Sequence, residues 1–304
     1  MDSTSSRERP LIITRDGDKS LGYEFTSLAR KVVNVFLIPL LNHLPVSIRS
    51  GIRRSHRSAD TVIRHATQFQ ALEALYNYGF PDHTQSVSES FFHRIWFSSN
   101  NAIAVRNRLR LVKRELKSAY TGLYDRKGAL TILSIASGSA RAIAESLHET
   151  RLGYLPDVDV TFLDKDPAAL EYSKDLVKKF NLTCNTRWIS ATAGTHLRSY
   201  CGVPSFDIVE MVGLLDYFDN DRAEQLMTSI YDALKEDGVF IVANINHNSE
   251  RQFISRVIGW NMIYRTPSEL ADLVVRSGFR PAHVTGFVEP LKIHTLVVAR
   301  KSNA

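Results

Sequence analysis

The residues with the clearest chemical meaning in this 304-residue sequence follow two short apolar segments. Residues 130–135 precede the small-residue run 136–140, Ala-Ser-Gly-Ser-Ala, which lets the backbone approach a ligand and opens a predicted helix. Residues 158–163 precede Asp164, a carboxylate able to accept two hydrogen bonds from a ribose diol. Gly138 and Asp164 stand 26 positions apart, near the spacing of about 20 in dinucleotide-binding units. A nucleotide-like ligand explains both runs, whereas a tight turn explains the first run alone.

Polar residues that follow later apolar segments are candidates for binding a reacting group or transferring a proton to or from it. Arg265 with Tyr264 is able to clamp a carboxylate through a bidentate guanidinium contact and a phenol hydrogen bond, although a solvated charge at a helix start explains Arg265 equally well. His247 is a candidate general base beside Asn246, but a histidine between two asparagines is more often an exposed loop residue. We predict Tyr264, Arg265 and His247 as catalytic residues with positioning or proton-transfer roles.

Aromatic and basic residues supply candidates for contact with a second molecule. Tyr217 and Trp260 are predicted to form an apolar wall, although ordinary core packing is the commoner role of such residues. Arg106 lies between the apolar positions of a helical pattern, so it faces either a cleft or, more commonly, solvent. The predicted substrate-binding residues are therefore Arg106, Tyr217, Asn246 and Trp260.

The order of predicted elements places these residues at one edge of a sheet. Strands are predicted at residues 130–135, 158–163, 206–211 and 239–243, crossover helices at 140–149, 167–180 and 222–234, and a terminal antiparallel strand pair at 282–287 and 294–299. Strands alternating with helices of this length form a right-handed parallel α/β sheet, whose ligands bind beyond the carboxyl ends of the strands. Asp166, which precedes Pro167, is predicted to cap the second helix.

The N-terminal part of the chain has a different pattern. Helical spacing of Val105, Leu109, Val112 and Leu116 predicts that residues 1–126 form an all-helical region, a natural lid or substrate cover for a second domain at 127–304. Residues 1–127 hold 20 Lys+Arg and 11 Asp+Glu, a net charge of +9, which leaves −3 for the rest of the chain. The two parts are therefore expected to face different partners.

Composition excludes several classes of protein. A hydrophobic fraction of 44% and a charged fraction of 23% exclude a disordered or fibrous protein. The two cysteines, Cys184 and Cys201, have the spacing of neither a zinc site nor a disulfide framework, so no metal is predicted. The polar N-terminus lacks the apolar core of a signal peptide, and no apolar run reaches the roughly 18 to 20 residues of a membrane span. We therefore predict a cytoplasmic protein.

Residues 128–304 resemble the class I S-adenosylmethionine-dependent methyltransferases through the successive motifs ILSIASGSAR, VTFLDKDPAALEYS, RWISATAG, FDIVEMVGLLDYF, LKEDGVFIVAN and YRTPSELADLVVRSGF. The resemblance implies a Rossmann-like α/β sheet, mostly parallel with an antiparallel C-terminal strand, and S-adenosylmethionine as cofactor. By position, Gly138 matches the central glycine of the cofactor loop, and Asp164 matches the acidic residue that holds the ribose hydroxyls. The cofactor-binding residues implied in this way are Ala136, Ser137, Gly138, Arg141, Asp164, Lys165, Ala191, Thr192 and Met211.

The sequence departs from the family pattern around the first strand. The usual acidic residue near the end of that strand is Ser134, and the two flanking glycines of the loop are Ala136 and Ala140. The acidic residue of the adenine-contacting loop, at 190–192, is also missing. Alanine costs little where φ is negative, so we expect the loop to keep its shape with backbone N–H donors doing most of the binding.

A narrower resemblance concerns the methyl acceptor. The segments AVRNRLRLV, SIASGSAR, GLLDYF and IGWNMIYRTPSEL look like a bacterial subgroup linked to fatty-acid methyl ester signal synthesis. Methyl transfer from a sulfonium is an in-line displacement that depends mainly on alignment in a dry pocket. We predict a small-molecule acceptor, a carboxylate or hydroxyl of a lipid-like or secondary metabolite. The alternatives are an RNA methyltransferase, which the scattered Lys and Arg do not favour, and a degenerate non-catalytic binding module.

An apolar stretch from Val32 to Val46 stands between basic residues, with Arg30 and Lys31 before it and Arg49 after it. Its length and flanks suit a peripheral membrane contact or a fatty-acyl tunnel. Two prolines interrupt it, so burial in the N-terminal region is the other explanation. The sequence does not predict an oligomeric state.

Overall fold

The computed structural model describes residues 12–43, 68–77, 97–200 and 202–302, which are built around one mixed sheet. Its eight strands lie in the order β1-β7-β8-β6-β5-β2-β3-β4. They are β1 (Ile12–Arg15), β2 (Leu130–Ile135), β3 (Val158–Asp164), β4 (Asn185–Ser190), β5 (Phe206–Val212), β6 (Leu234–Ile245), β7 (Val284–Val288) and β8 (His294–Arg300). All neighbours are parallel except β8, which runs antiparallel to β6 and β7. The predicted fold class is confirmed.

The central strands form because their residues are apolar on both faces. β2, β3 and β5 are almost wholly buried, as expected for parallel strands covered by helices on either side. β6 begins at Leu234, five residues before the predicted start, and continues two residues beyond the predicted end. β4 was not predicted as a strand, because its polar, half-exposed residues at the sheet edge lack an apolar run.

The helices of the described residues cover both faces of the sheet. They are α1 (Leu28–Val32), α2 (Ile38–His43), α3 (Phe69–Tyr76), α4 (Asn100–Lys127), α5 (Arg141–Thr150), α6 (Pro167–Lys179), α7 (Ala193–Leu197), α8 (Asn220–Ala233), α9 (Arg251–Phe253) and α10 (Pro267–Arg276), with short 3₁₀ turns at Lys19–Leu21, Leu152–Tyr154, Arg198–Tyr200, Leu215–Tyr217 and Pro281–His283. Asp166 caps α6 by accepting a hydrogen bond from the Ala168 N–H, which confirms its predicted role.

The N-terminal region contains a strand as well as helices, so the prediction of an all-helical region is wrong at this point. Residues Ile12–Arg15 pair in parallel with β7 and close that edge of the sheet. The pairing joins segments more than 270 positions apart, and no local pattern reveals such a contact. The division at residue 126 stays a prediction; α4 crosses it and ends at Gly128, whose φ of 70° forms the C-cap.

The longest helix, α4, joins the N-terminal region to the sheet. Its residues Leu111, Leu116 and Tyr120 are buried in the main apolar cluster with β2 and α5. Arg106 was expected to face either a cleft or, more commonly, solvent, but only 4% of its surface is exposed, and only 3% of the surface of Arg108. The polar side of this helix is therefore an interior surface, facing partners contributed by distant parts of the chain.

Residues 28–43 form a continuous helical segment in which a π turn, Val33–Leu37, separates α1 from α2. Pro39 has no N–H to donate within the helix, and the Ile38 N–H instead bonds to the Val33 carbonyl, as expected when a proline disturbs the regular ladder. Among the described residues, no helix combines the length and apolarity required to cross a bilayer. The last residues of the predicted 32–46 stretch lie outside the described residues.

Candidate active site

A cavity of about 1170 Å³ opens at the carboxyl edge of the parallel strands. The loops after four strands line one wall, through Ala136 after β2, Asp164 after β3, Ala191 after β4 and Gly213 after β5. Helices α3 and α4 and the segment 254–262 line the other wall. The cavity therefore lies where ligands bind in open α/β sheets. We call α3 and the start of α4, which line it opposite the strand ends, the cover.

In the loop after β2, three alternate residues have backbone angles in the left-handed region. Ala136, Gly138 and Ala140 have φ angles of 52°, 53° and 57°. The expectation that alanine fits cheaply assumed a negative φ, and this assumption is wrong for both alanines. A left-handed residue with a Cβ costs roughly 1 to 2 kcal/mol, so the loop keeps a glycine-type shape at a cost in stability. Ser137 contributes a buried hydroxyl that has no partner.

Asp164 connects the first two loops. Its carboxylate accepts hydrogen bonds from the N–H groups of Gly138 and Asp166, each at 2.9 Å, and it remains half-exposed at the cavity wall. Lys165 is exposed beside it, and Ala191 and Thr192 line the wall next to it. The structure thus brings six predicted cofactor-binding residues to one wall: Ala136, Gly138, Asp164, Lys165, Ala191 and Thr192.

Three predicted cofactor-binding residues, Ser137, Arg141 and Met211, do not line the cavity. Arg141 forms an ion pair with the buried Glu73 of α3 and a second one with Glu145. Met211 is fully buried in the core beneath the sheet. Gly213, two residues later, reaches the cavity in its place, because the chain leaves β5 at Val212 and turns there with a φ of 93°.

The carboxyl group missing from position 134 stands on the neighbouring strand. Ser134 of β2 is in register with Glu210 of β5, and its hydroxyl donates to Glu210 Oε2 at 2.6 Å. Complete burial raises the pKa of Glu210 to about 7, against opposing effects of the Ser134 hydrogen bond and the Arg108 charge. An acidic group therefore lies beneath the cofactor loop, one strand away from its usual place.

Glu73 ties α3 to helices α5 and α6. Its carboxylate accepts from Arg141 Nε at 2.9 Å and from the Tyr172 hydroxyl at 2.8 Å, on α5 and α6 respectively. Burial is the largest effect and would raise the pKa of Glu73, but the hydrogen bonds from Arg141, Ser139 and Tyr172 and the Arg141 charge together outweigh it, so the pKa falls below its ordinary value. The cover is thus attached on this side by a charged, buried contact.

On the opposite side of the cavity, Glu250 attaches the start of α4 and the segment around Arg30. It accepts from the backbone N–H groups of Asn100 and Asn101 at the start of α4, at 3.1 and 3.0 Å, and pairs with Arg30 at 3.1 Å. A carboxylate at a helix N-terminus satisfies free N–H groups and is favoured by the helix dipole. One side chain therefore holds three segments together.

Four predicted catalytic or binding residues lie away from the cavity lining. Arg265 donates to Asn220, Leu215, Asn244 and Phe218, so its guanidinium is a brace inside the protein. Tyr264 stacks with His247, and burial raises the pKa of the Tyr264 phenol to about 12. His247 and Asn246 instead border a separate cavity of about 320 Å³ beside β1. The structure therefore places Tyr264, Arg265, His247 and Asn246 outside the lining of this cavity, and their catalytic or binding roles stay predictions.

The aromatic predictions and the arginine prediction have different outcomes. Tyr217 and Trp260 both line the cavity, joined by a hydrogen bond of 2.7 Å from the indole N–H to the phenol oxygen. Arg106 does not line it; its guanidinium donates to Glu24 at 2.6 Å and to the Phe97 carbonyl at 3.0 Å. These acceptors come from segments that sequence spacing alone does not bring together.

Two basic residues at the cavity floor, Arg108 and His294, were absent from the predicted site. Arg108 is buried with its Nε unpartnered, and its Nη2 lies 3.9 Å from the place of a Cβ on Gly213. Burial would lower the pKa of Arg108, but Tyr76 and Asp216 raise it above its ordinary value. His294, at the start of β8, is 3% exposed with both ring nitrogens unpartnered, and burial lowers its pKa well below the ordinary value. The only sequence signal was the position of Arg108 beside Arg106 in the helical pattern.

An apolar arm extends the cavity beneath the cover. We use this name for the group of lining residues Phe69, Leu72, Leu75, Phe97, Val105, Ile254, Ile258, Trp260 and Met262. They come from α3, from α4 and Phe97 just before it, and from the segment that follows α9. Within the described residues, no cluster of three or more His, Cys, Asp or Glu has the arrangement of a metal site.

Fold, site and family together define a class I, S-adenosylmethionine-dependent methyltransferase. The chain belongs to the family whose model is described as "Putative methyltransferase" and matches residues 49–301. The search of curated proteins found no match for this chain.

Three solved structures with little sequence identity share the fold. A protein from Bordetella parapertussis, described as a possible exported protein, is 14% identical with a TM-score of 0.66, over 92% of this chain and 100% of its own. A "putative O-methyltransferase" from Nostoc punctiforme PCC 73102 is 20% identical with a TM-score of 0.51, over 80% and 72%. Magnesium protoporphyrin IX methyltransferase from Synechocystis PCC 6803, with bound SAH, is 8% identical with a TM-score of 0.53, over 80% and 99%.

Proposed function

We propose that this protein transfers a methyl group from S-adenosylmethionine to the carboxylate of a lipid-like small molecule. The observation that carries the proposal is the continuity of one cavity, which joins the Gly138 and Asp164 wall to the apolar arm through a floor containing Arg108. Its volume of about 1170 Å³ exceeds the roughly 300 to 1,000 Å³ of an ordinary ligand pocket, which supports two molecules lying side by side.

The residues at the strand ends fit the cofactor. The half-exposed Asp164 carboxylate suits the ribose hydroxyls, and the loop after β2 carries no side chain larger than serine up to Ala140. The unpartnered Ser137 hydroxyl is a further polar atom in this loop. When bound, S-adenosylmethionine supplies an electrophilic methyl on its sulfonium. This chain's own task is to orient the acceptor and exclude water.

A carboxylate is the acceptor that the floor of the cavity supports best. It is ionised at neutral pH and needs only to be positioned, whereas a hydroxyl must lose a proton to a base. The lowered pKa of His294 makes it a poor base at neutral pH but leaves a neutral imidazole able to hydrogen-bond. The Arg108 guanidinium supplies the complementary charge. The hydroxyl acceptor is the competing outcome of the test.

The apolar arm supports an acceptor with a hydrocarbon body. Its aliphatic and aromatic side chains offer no hydrogen bonds apart from the Trp260 indole, which is already bonded to Tyr217. Burying hydrocarbon against such a surface contributes about 25 cal/mol per Å².

A cytoplasmic location, predicted from the polar N-terminus and the two cysteines, belongs to the same proposal.

The test measures transfer of labelled methyl from S-adenosylmethionine to dodecanoic acid, dodecanol and acetate. We expect a base-labile methyl ester of dodecanoic acid, and little product from dodecanol or acetate. Transfer to dodecanol alone would replace the carboxylate by a hydroxyl. Transfer only to RNA, or failure to bind S-adenosylhomocysteine in calorimetry, would favour the RNA methyltransferase or the non-catalytic module.

Arg108→Lys assigns the guanidinium to one of two carboxylates. If it orients the acceptor, the variant keeps its affinity for S-adenosylhomocysteine and loses turnover of dodecanoic acid, by roughly tenfold or more. If it holds the amino-acid carboxylate of the cofactor, affinity for S-adenosylhomocysteine falls while that for methylthioadenosine, which lacks the carboxylate, is unchanged. Unchanged thermal unfolding confirms that the lysine variant is folded.

A further inference from the structure

An exposed apolar surface lies on the outside of the helical segment 28–43. We call it the outer stripe and define it by Leu28, Val32, Phe36 and Leu40, whose exposed fractions are 80%, 59%, 72% and 61%. Positions four apart in a helix share one face, so these side chains form a continuous row. With the nearby Phe25, they make up five of the nine large exposed hydrophobic residues among those described. A contiguous patch of this kind marks an interaction surface, whereas scattered apolar residues do not.

The opposite face of the same segment fixes the outer stripe toward solvent. Ile38 packs with Phe253 and Val257 in a buried apolar cluster, and Val33 packs against its edge. Arg30 pairs with the buried Glu250 at 3.1 Å. An apolar inner face and an ion pair therefore anchor the segment, so rotation cannot bury the stripe without breaking both contacts.

The charge of the sequence around the stripe is concentrated and basic. Residues 28–67 contain seven Lys or Arg and one Asp, a net charge of +6. The remaining residues hold 31 Lys+Arg and 31 Asp+Glu, because 38 minus 7 and 32 minus 1 are both 31. The whole net charge of the protein therefore belongs to the segment that begins with the outer stripe. Lys31, within the helix, is exposed.

We propose that the outer stripe docks onto the surface of a bilayer containing anionic lipid. An interfacial helix inserts an apolar face into the boundary between headgroups and acyl chains, and nearby basic residues add attraction to anionic headgroups. The stripe supplies the first requirement. The exposed Lys31 within the helix and the basic sequence that continues along the chain to residue 67 supply the second. The inner face packs against Ile254 and Ile258, which line the apolar arm, so docking places the arm beside the bilayer. The inference does not rest on the proposed reaction.

Vesicle co-sedimentation of the full chain, without cofactor or acceptor, tests the docking. We expect binding to vesicles of phosphatidylcholine with phosphatidylglycerol, weaker binding to phosphatidylcholine alone, and weakening by salt. The variant with Leu28→Ser, Phe36→Ser and Leu40→Ser should partition at least about tenfold less. Val203→Ser, which removes an apolar residue 57% exposed elsewhere, is the matched control and should bind like the wild type.

Three results would overturn the inference. They are absence of wild-type binding to both kinds of vesicle, equal binding of the triple variant and the wild type, and equal loss in the Val203→Ser control. Size-exclusion chromatography with light scattering identifies the competing occupant: a dimer that the triple variant dissociates, without vesicle binding, would make the stripe a contact between copies of this chain. Phe36→Trp gives a second readout, because its added emission should shift to the blue only on contact with vesicles.

Discussion

The two ends of the cavity, which we name the cofactor end and the acceptor end after the proposed function, are built in different ways. The cofactor end consists of backbone and one carboxylate, delivered by loops that directly follow β2, β3 and β4. The acceptor end consists of side chains, delivered by α3, α4, the segment 254–262 and the start of β8. Strand ends in a parallel sheet converge automatically, whereas the acceptor end exists only after the cover has docked on the sheet. The comparison implies that one cavity can combine a fixed cofactor wall with an acceptor wall set by separate contacts.

Gly138→Leu should have the largest effect and act on the cofactor end alone. The new side chain would enter the cavity beside Phe69, whose Cβ lies 3.5 Å from the place of a Cβ on Gly138, and the φ of 53° adds strain. We expect calorimetry to detect no binding of S-adenosylhomocysteine, while circular dichroism shows a folded protein. Gly122→Leu, where a Cβ meets no atom within 4 Å, is the control. Retained affinity in Gly138→Leu would remove this loop from the cofactor site.

Glu210→Gln tests the charge buried beneath the cofactor end. Burial raises the pKa of Glu210 to about 7 from 4.5, so the folded protein retains a proton that the unfolded chain releases. The difference in free energy of unfolding between the wild type and the variant should therefore favour the wild type most below pH 4.5. This difference should fall as the pH rises toward about 7, and above that pH it should be about 3 kcal/mol less favourable to the wild type. The glutamine variant lacks this contribution. Urea denaturation at several pH values checks it, and parallel pH profiles for the two proteins would contradict the raised pKa.

Asp164→Ala removes the carboxylate of the cofactor end. Loss of hydrogen bonds to a charged group should weaken S-adenosylhomocysteine binding by about 1 to 3 kcal/mol, measured by calorimetry. Asp175→Ala, on an exposed face of α6 with 80% of its side chain accessible, is the control for removing a charge. An affinity equal to that of the control would exclude Asp164 from cofactor binding.

Leu72→Trp sharpens the comparison from the acceptor end. Leu72 is half-buried in the apolar arm, and an indole in its place fills part of that volume. We expect turnover of dodecanoic acid to fall at least about tenfold, close to 1.4 kcal/mol, with S-adenosylhomocysteine affinity unchanged. Parallel losses of both would show that the two ends are not separable.

Ala136→Gly should have the smallest effect, and in the opposite direction. Relief of the left-handed strain at a φ of 52° outweighs the added flexibility of glycine in the unfolded chain, for a net gain in stability of up to about 1 kcal/mol. Ala168→Gly in the first turn of α6 is the matched control, where the same substitution should destabilise by about 0.5 to 1 kcal/mol. Chemical denaturation measures both, and destabilisation by Ala136→Gly would contradict the strained loop.

Sequence reasoning was effective wherever structure follows from local pattern. The central strands and the positions of Gly138 and Asp164 at their ends follow from apolar runs and turn residues. The left-handed φ of Ala136 was missed, because residue type alone favours a negative φ for alanine.

Long-range contacts explain the other failures. Arginine is a residue type that is usually exposed to solvent, but folding brings the acceptors of Arg106, Glu24 and the Phe97 carbonyl, to its guanidinium. His294 has no local motif, and it reaches the cavity only because β8 pairs antiparallel with β6. Arg265 faces the interior for the same reason, since its four acceptors lie 21 to 50 positions away.

The pairing of Ser134 with Glu210 bears on how related chains are compared. A search for the expected acidic residue at position 134 of β2 finds a serine. The carboxyl group of Glu210 nevertheless lies on the adjacent strand at the same level of the sheet. Alignment columns treat such an exchange as two unrelated substitutions. Matching residues across neighbouring strands, by register, shows that a buried acid is present at this level of the sheet on the adjacent strand.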